Sequence, residues 1–113
     1  MTDDTLCFKQ MCAKFEVTPR TLRYYEYIEL LTPEKEGRAR FYGPRELARM
    51  TLVMRGRRFG FALEDIRQWL LIKEHEGTKA QMEQWITLAD RQMVELEEQR
   101  NQLDDTLLAL KLL

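Results

Sequence analysis

From Met82 to Leu110 apolar residues return every three or four positions, and this repeat limits the fold more than any other feature of the chain. Met82, Ile86, Ala89, Met93 and Leu96 are followed, across Arg100, by Leu103, Leu107 and Leu110. Alternating steps of four and three over about four heptads describe one long helix with a single apolar seam. Arg100 is its one polar seam position. Thr78-Lys79-Ala80-Gln81 has the form of a capping box and marks the start of this helix. The alternative, a long helix packed on its own domain, needs more chain than 113 residues leave. A second copy is therefore the expected cover, with Met82, Ile86, Ala89, Met93, Leu96, Arg100, Leu103, Leu107 and Leu110 as the dimerisation positions. In a parallel pair two Arg100 side chains would meet and repel. In an antiparallel pair each would approach Asp90 of the other copy, so charge favours the antiparallel arrangement.

The front of the chain has a different character. Residues 8–61 hold twelve Lys/Arg against six Asp/Glu, a balance of +6, while residues 62–113 hold six against eleven, a balance of −5. Asp3 and Asp4 complete the net charge of −1. A basic front joined to an acidic rod fits a nucleic-acid-binding head on a separate association module. Within the head, Thr18 suits an N-cap and Pro19 the first helical position. At 100° per residue Arg20, Arg23, Tyr24 and Tyr27 then share one face, with Leu22 and Tyr25 opposite. Taken alone, this stretch fits an ordinary amphipathic surface helix equally well. Before it, Phe8, Met11, Cys12 and Phe15 are spaced as a short helix, and Glu16-Val17-Thr18 forms a tight turn. Helix, three-residue turn, helix is helix-turn-helix spacing.

Thr32–Tyr42, with Gly37 at a plausible turn, reads either as a β-hairpin wing carrying Lys35, Arg38 and Arg40 or as a surface loop. Gly43-Pro44 opens the next helix, striped by Leu47, Met50 and Met54 and closed by Gly60. Ala62–Ile72 forms a further helix, with Leu63, Ile66, Trp69 and Leu70 turned inward, and a polar break follows from Lys73 to Gly77.

Thr21-Leu22-Arg23-Tyr24-Tyr25-Glu26, then Leu30-Leu31-x-Pro33, Arg40-x-Tyr42 and Gly60-Phe61-x-Leu63-x-x-Ile66, resemble the MerR family of bacterial transcription regulators. The match runs in order over residues 6–72. It implies a mainly α fold, a winged helix-turn-helix head (residues 1–76) and an antiparallel coiled-coil dimerisation helix (residues 77–113). It also implies a homodimer on a near-palindromic promoter site, which distorts the spacer DNA so that RNA polymerase, an indirect partner, engages both promoter elements. The DNA-contacting set is Thr18, Arg20, Thr21, Arg23, Tyr24 and Tyr27 from the helix, Lys35, Arg38, Arg40 and Tyr42 from the wing, and Arg55 and Arg58 from the loop before Gly60. Two departures stand out. Glu29 occupies a position where the family usually has Gly, so it either adopts a left-handed conformation or ends the helix differently. The wing is also one residue short between Pro33 and Arg40. The Arg40-Phe41-Tyr42 ending and the Met54–Arg58 run are similar to a branch linked to catabolism of branched-chain amino acids and acyl-CoA intermediates.

Other chemistries find little support. Cys7 and Cys12 match neither a CxxC nor a zinc-finger spacing, and His75 alone makes no site, so no metal or cofactor is expected. Metal-sensing members of the family carry thiols beside the dimerisation helix, and this chain has none there. Glu97, Glu98, Asp104 and Asp105 are carboxylate pairs on a solvated helix, and neither a phosphate loop nor a nucleophile–base set accompanies them. An enzyme is not expected. A protein-binding module without DNA affinity is the remaining alternative, and the basic head weighs against it. The absence of a signal-like or spanning stretch makes cytoplasmic location, without membrane association, the expectation. An effector, if one exists, would sit near Trp69 and Trp85, for which plain core packing is the preferred reading.

Overall fold

The structure, a computed structural model, describes residues 5–113, apart from the side chains of residues 73–76. His75 therefore lies outside the described side chains, and Asp3 and Asp4 outside the described residues. The elements run β1 (Leu6–Cys7), α1 (Phe8–Phe15), α2 (Pro19–Tyr27), β2 (Glu34–Glu36), β3 (Ala39–Tyr42), α3 (Pro44–Arg58), α4 (Leu63–Glu76) and α5 (Thr78–Lys111). They gather into two compact units, Met1–Arg58 and Phe59–Leu113.

In the first unit α1 and α2 form the helix-turn-helix. Thr18 caps α2 by accepting the Thr21 N–H at 3.1 Å, and Pro19 stands in the first turn where its missing N–H costs nothing. Leu22 and Tyr25 are buried and hold the inner face. Both helices end alike. Beyond α1, the Val17 N–H reaches the Cys12 carbonyl at 3.1 Å, with Glu16 left-handed at φ 54. Beyond α2, the Leu30 N–H reaches the Tyr25 carbonyl at 2.9 Å and the Glu29 N–H that of Glu26 at 3.0 Å, with Glu29 at φ 63. These are Schellman closures, which satisfy the last carbonyls and require a left-handed residue. Glu29 thus takes the left-handed alternative.

Residues 32–42 form a wing rather than a loose loop. β2 and β3 pair antiparallel with Glu36 opposite Ala39, and Gly37 and Arg38 make the turn. Gly37 has φ +60 and Arg38 has no positive φ, the pattern of a type II′ hairpin with glycine at its first central position. β1 adds a third strand that no sequence signal announces, with Leu6 opposite Tyr42 and Cys7 opposite Phe41, in the order β1-β3-β2. At the wing base, the buried Glu46 carboxylate accepts the Thr32 N–H at 2.9 Å, and Arg49 Nε donates to the Leu30 carbonyl at 3.0 Å. These contacts pin the segment between α2 and the wing to α3. The buried line of α3 runs Glu46, Met50, Val53 and Gly56, with Leu47 and Met54 only half-buried.

In the second unit α4 packs on α5. Ile66, Trp69 and Leu70 are buried, as is Leu88 of α5. The rings of Trp69 and Trp85 lie 4.5 Å apart and those of Phe61 and Trp85 5.1 Å apart, a packed aromatic cluster. Two expectations need correction. The polar break after Ile72 shrinks to one residue, because the helix continues to Glu76 and Gly77 alone breaks it at φ 89, ψ −179, a conformation open essentially to glycine. The capping box at Thr78 is not formed, since Gly77 is the cap residue and Gln81 is buried. The Trp69 indole N–H donates to the Gln81 carbonyl at 2.8 Å, so tertiary packing claims this turn. Arg91 pairs with Asp65 at 3.0 Å and Gln92 donates to the Phe59 carbonyl at 2.9 Å, which fastens α5 to the start of its own unit.

Candidate nucleic-acid interface

The outer face of α2 carries its charge into solvent. Arg20 and Arg23 are exposed, Tyr24 is 50% and Tyr27 83% exposed, and all four stand on the side away from Leu22 and Tyr25. Thr18 donates its hydroxyl proton to Thr21 Oγ1 at 2.9 Å. Thr18 is therefore occupied within the helix start, whereas the Thr21 hydroxyl keeps its own proton to give. The outer side of α2 thus presents cations, phenols and one hydroxyl donor, the groups that phosphates and base edges accept.

The wing sorts its charges by strand parity. Side chains directly opposite one another share a face, and successive ones alternate. Arg40 lies opposite Lys35 and shares its face with Tyr42 and Leu6, while Glu34, Glu36 and Phe41 take the other face. The basic face is the one turned to α2, because Tyr42 donates to Glu26 Oε1 at 2.9 Å and Arg40 Nε stands 3.2 Å from the same oxygen. The acidic face, with Phe41, Pro44 and Arg45, lines a cleft of about 610 Å³.

Two wing residues therefore differ from expectation. Tyr42 is fully buried and has no surface to offer DNA. Burial together with its hydrogen bond to Glu26 drives its pKa far above the ordinary tyrosine value. It anchors the wing to α2. Arg40 is only partly available: its side chain is 34% exposed, and its Nε is an ion-pair neighbour of Glu26 without hydrogen-bond alignment. Lys35 and Arg38 are exposed, Arg38 at the wing tip. Arg55 and Arg58 are exposed in the last turn of α3, not in a loop, where the helix dipole favours cations.

Sequence reasoning missed three residues that shape this surface. Phe8 lies under two guanidinium groups, Arg23 at 5.6 Å and Arg40 at 5.5 Å from the ring centroid. Glu26 ties Tyr42 and Arg40 to α2, and Glu46 fixes the wing base. An acidic residue inside a basic motif was the available signal for Glu26. The pairing of Phe8 with cations distant in sequence left none. Beside this surface Cys12 is half-buried, and burial raises its thiol pKa, offset by Arg23 and reinforced by Glu26.

Along α5 the proposed dimerisation positions Met82, Ile86, Met93, Leu96, Leu103, Leu107 and Leu110 are all exposed. Ala89 is half-covered and Arg100 is exposed. Glu97, Glu98, Asp104 and Asp105 are exposed as well. Among the described residues no group of three or more His, Cys, Asp or Glu could hold a metal ion, and no helix is long and apolar enough to cross a membrane.

Residues 8–71 match the model of the MerR HTH family regulatory proteins, and residues 47–113 match a model described as MerR, DNA binding. The chain is 42% identical over 60 residues to the HTH-type transcriptional regulator ZntR of Escherichia coli K12, a match covering 51% of this chain and 43% of ZntR. It thus spans less than half of that relative. A MerR family transcriptional regulator from Bacillus cereus has a similar structure, with a TM-score of 0.76 and 25% identity over 91% of this chain and 75% of that one. HiNmlR, a MerR family regulator lacking the sensor domain and solved bound to promoter DNA, shares the fold, with a TM-score of 0.66 and 18% identity over 88% of this chain and 79% of that one.

Proposed function

The chain belongs to the MerR HTH family, and from that premise we propose that it is a transcriptional regulator that binds a near-palindromic site in promoter DNA as a homodimer. The outward face of α2 carries the reading: Arg20, Arg23, Tyr24 and Tyr27 stand in solvent on one side of a capped helix, beside the basic face of a wing. Arg20 and Thr21, at the helix N-terminus, read base edges. Arg23, Tyr24, Lys35, Arg38, Arg55 and Arg58 hold the backbone, with Arg40 contributing what Glu26 leaves free.

Residues 1–76 supply the DNA-binding head and residues 77–113 the dimerisation helix. The 34 residues of α5 span about 50 Å. In an antiparallel pair the two heads leave from opposite ends of that rod, a separation that suits successive turns of the major groove. Binding both half-sites deforms the DNA between them, and through that distortion the dimer acts on RNA polymerase. The protein is assigned no catalytic role and no cofactor, and it acts in the cytoplasm.

The test is Leu103→Asp with Leu107→Asp, followed by sedimentation and by footprinting on the promoter. A monomer with weak half-site protection is expected. A folded dimer that still protects both half-sites refutes the assembly, and a wild-type protein without salt-dependent duplex binding refutes the DNA reading.

A further inference from the structure

The first residue of α1 was given no role by its sequence, yet it touches both basic elements of the head. The guanidinium carbons of Arg23, from α2, and Arg40, from β3, lie 5.6 and 5.5 Å from the Phe8 ring centroid. Phe8 is half-buried, so part of its ring is at the surface. A guanidinium stacked on a ring keeps its N–H edge free for an oxygen acceptor. The contact also narrows its choice of rotamers before any ligand arrives. Arg40 is drawn to the same place by charge, its Nε 3.2 Å from the Glu26 carboxylate. The two arginines, 17 positions apart in sequence and on different elements, are thus held by one ring.

We propose that Phe8 is a positioning residue for DNA binding: its ring holds Arg23 and Arg40, from two different elements, in place beforehand as contacts to DNA phosphates. The inference rests on the DNA-binding reading above. Ordering a long side chain is a cost of association, and a side chain ordered in advance no longer adds it. The ring also couples the wing to the recognition helix, so a shift of one arginine on the DNA is felt by the other.

The experiment compares full-length wild type with Phe8→Leu, which keeps apolar bulk but removes the π face, and with Phe8→Tyr, which restores the face. In the free protein, NMR should show ring-shifted δ-methylene resonances for Arg23 and Arg40 in wild type and Phe8→Tyr, and unshifted ones in Phe8→Leu. On a duplex carrying the footprinted site, Phe8→Leu should bind about two- to fivefold more weakly for each guanidinium released, and Phe8→Tyr should match wild type. In an Arg23→Gln/Arg40→Gln background the Phe8→Leu effect should disappear. If the loss persists undiminished there, Phe8 acts only through folding and the proposal is overturned. Equal binding by wild type and Phe8→Leu overturns it alone, whereas a wild type that binds no duplex overturns the DNA reading beneath it as well.

Discussion

Replacing Glu29 with glycine should stabilise the head, and the structure allows the gain to be worked out. Glu29 sits at φ 63, the left-handed residue of the closure after α2. For a residue with a Cβ that conformation costs about 1–2 kcal/mol. Glycine removes this cost but gives back roughly 0.4–1 kcal/mol through the greater freedom of the unfolded chain. The side chain is exposed, so its removal uncovers nothing. The net expectation for Glu29→Gly is about 0.5–1 kcal/mol of added stability, or roughly 2–6 °C in Tm for a chain of this size. Urea unfolding at fixed protein concentration measures it, because a dimer's midpoint depends on concentration. Glu29→Ala is the control. It removes the carboxylate but keeps the Cβ, so it should gain little. Both closure hydrogen bonds are backbone bonds and survive either change, so wing position and DNA affinity should stay as they are. Destabilisation by Glu29→Gly, or an equal gain from alanine, would refute the strain reasoning and put the effect on the charge instead.

Tyr42→Phe should cost about 1.5–3 kcal/mol at neutral pH, the range for a hydrogen bond to a charged group, as read by thermal unfolding. Because the folded pKa of Tyr42 is raised, its contribution is present below the unfolded value near 10.0 and is lost as pH rises beyond it; wild type should therefore lose stability in alkali more steeply than Tyr42→Phe. Arg20→Ala should cost about 1–3 kcal/mol at one base position, whereas Arg23→Ala should weaken all duplexes alike and flatten the salt dependence; binding selections at several salt concentrations separate the two.

Helix starts and faces were legible because their causes are local. Thr18-Pro19 and Gly43-Pro44 announce α2 and α3, and 100° spacing puts Arg20 and Arg23 outside and Leu22 inside. The wing was harder. Arg40-Phe41-Tyr42 looks uniformly suited to DNA, and parity alone puts Arg40 and Tyr42 on one face without saying how deep each lies. Depth is set by β1, whose two residues carry no strand signal of their own, and by Glu26 reaching across from α2. At Thr78 the local signal was outweighed: Gly77 takes the cap position, and Gln81, whose side chain would close the box, is buried beside Trp69, which donates to its carbonyl. Glu46 was invisible for the same kind of reason, since its partner is a backbone N–H fourteen residues away.

The long helix shows how one sequence carries two instructions. Early in α5, Gln81 and Leu88 are buried and Gln92 bonds the Phe59 carbonyl, so this line faces the helix's own unit. Met82, Ile86 and Met93 lie about 100° further around the helix and are exposed. Two contact lines on one helix, the second of them wholly apolar, need two covers, and α4 supplies only one. From Met93 onward every residue is exposed, and Leu96, Leu103, Leu107 and Leu110 continue the uncovered line alone. Such a stripe of large aliphatic side chains is the mark of an association surface. The division also makes the aspartate test informative. Leu103 and Leu107 lie past the last turn that touches α4, so charges placed there leave the fold of the second unit alone. What they place in jeopardy is the seam, where burying a carboxylate without a partner is costly in each copy of the pair.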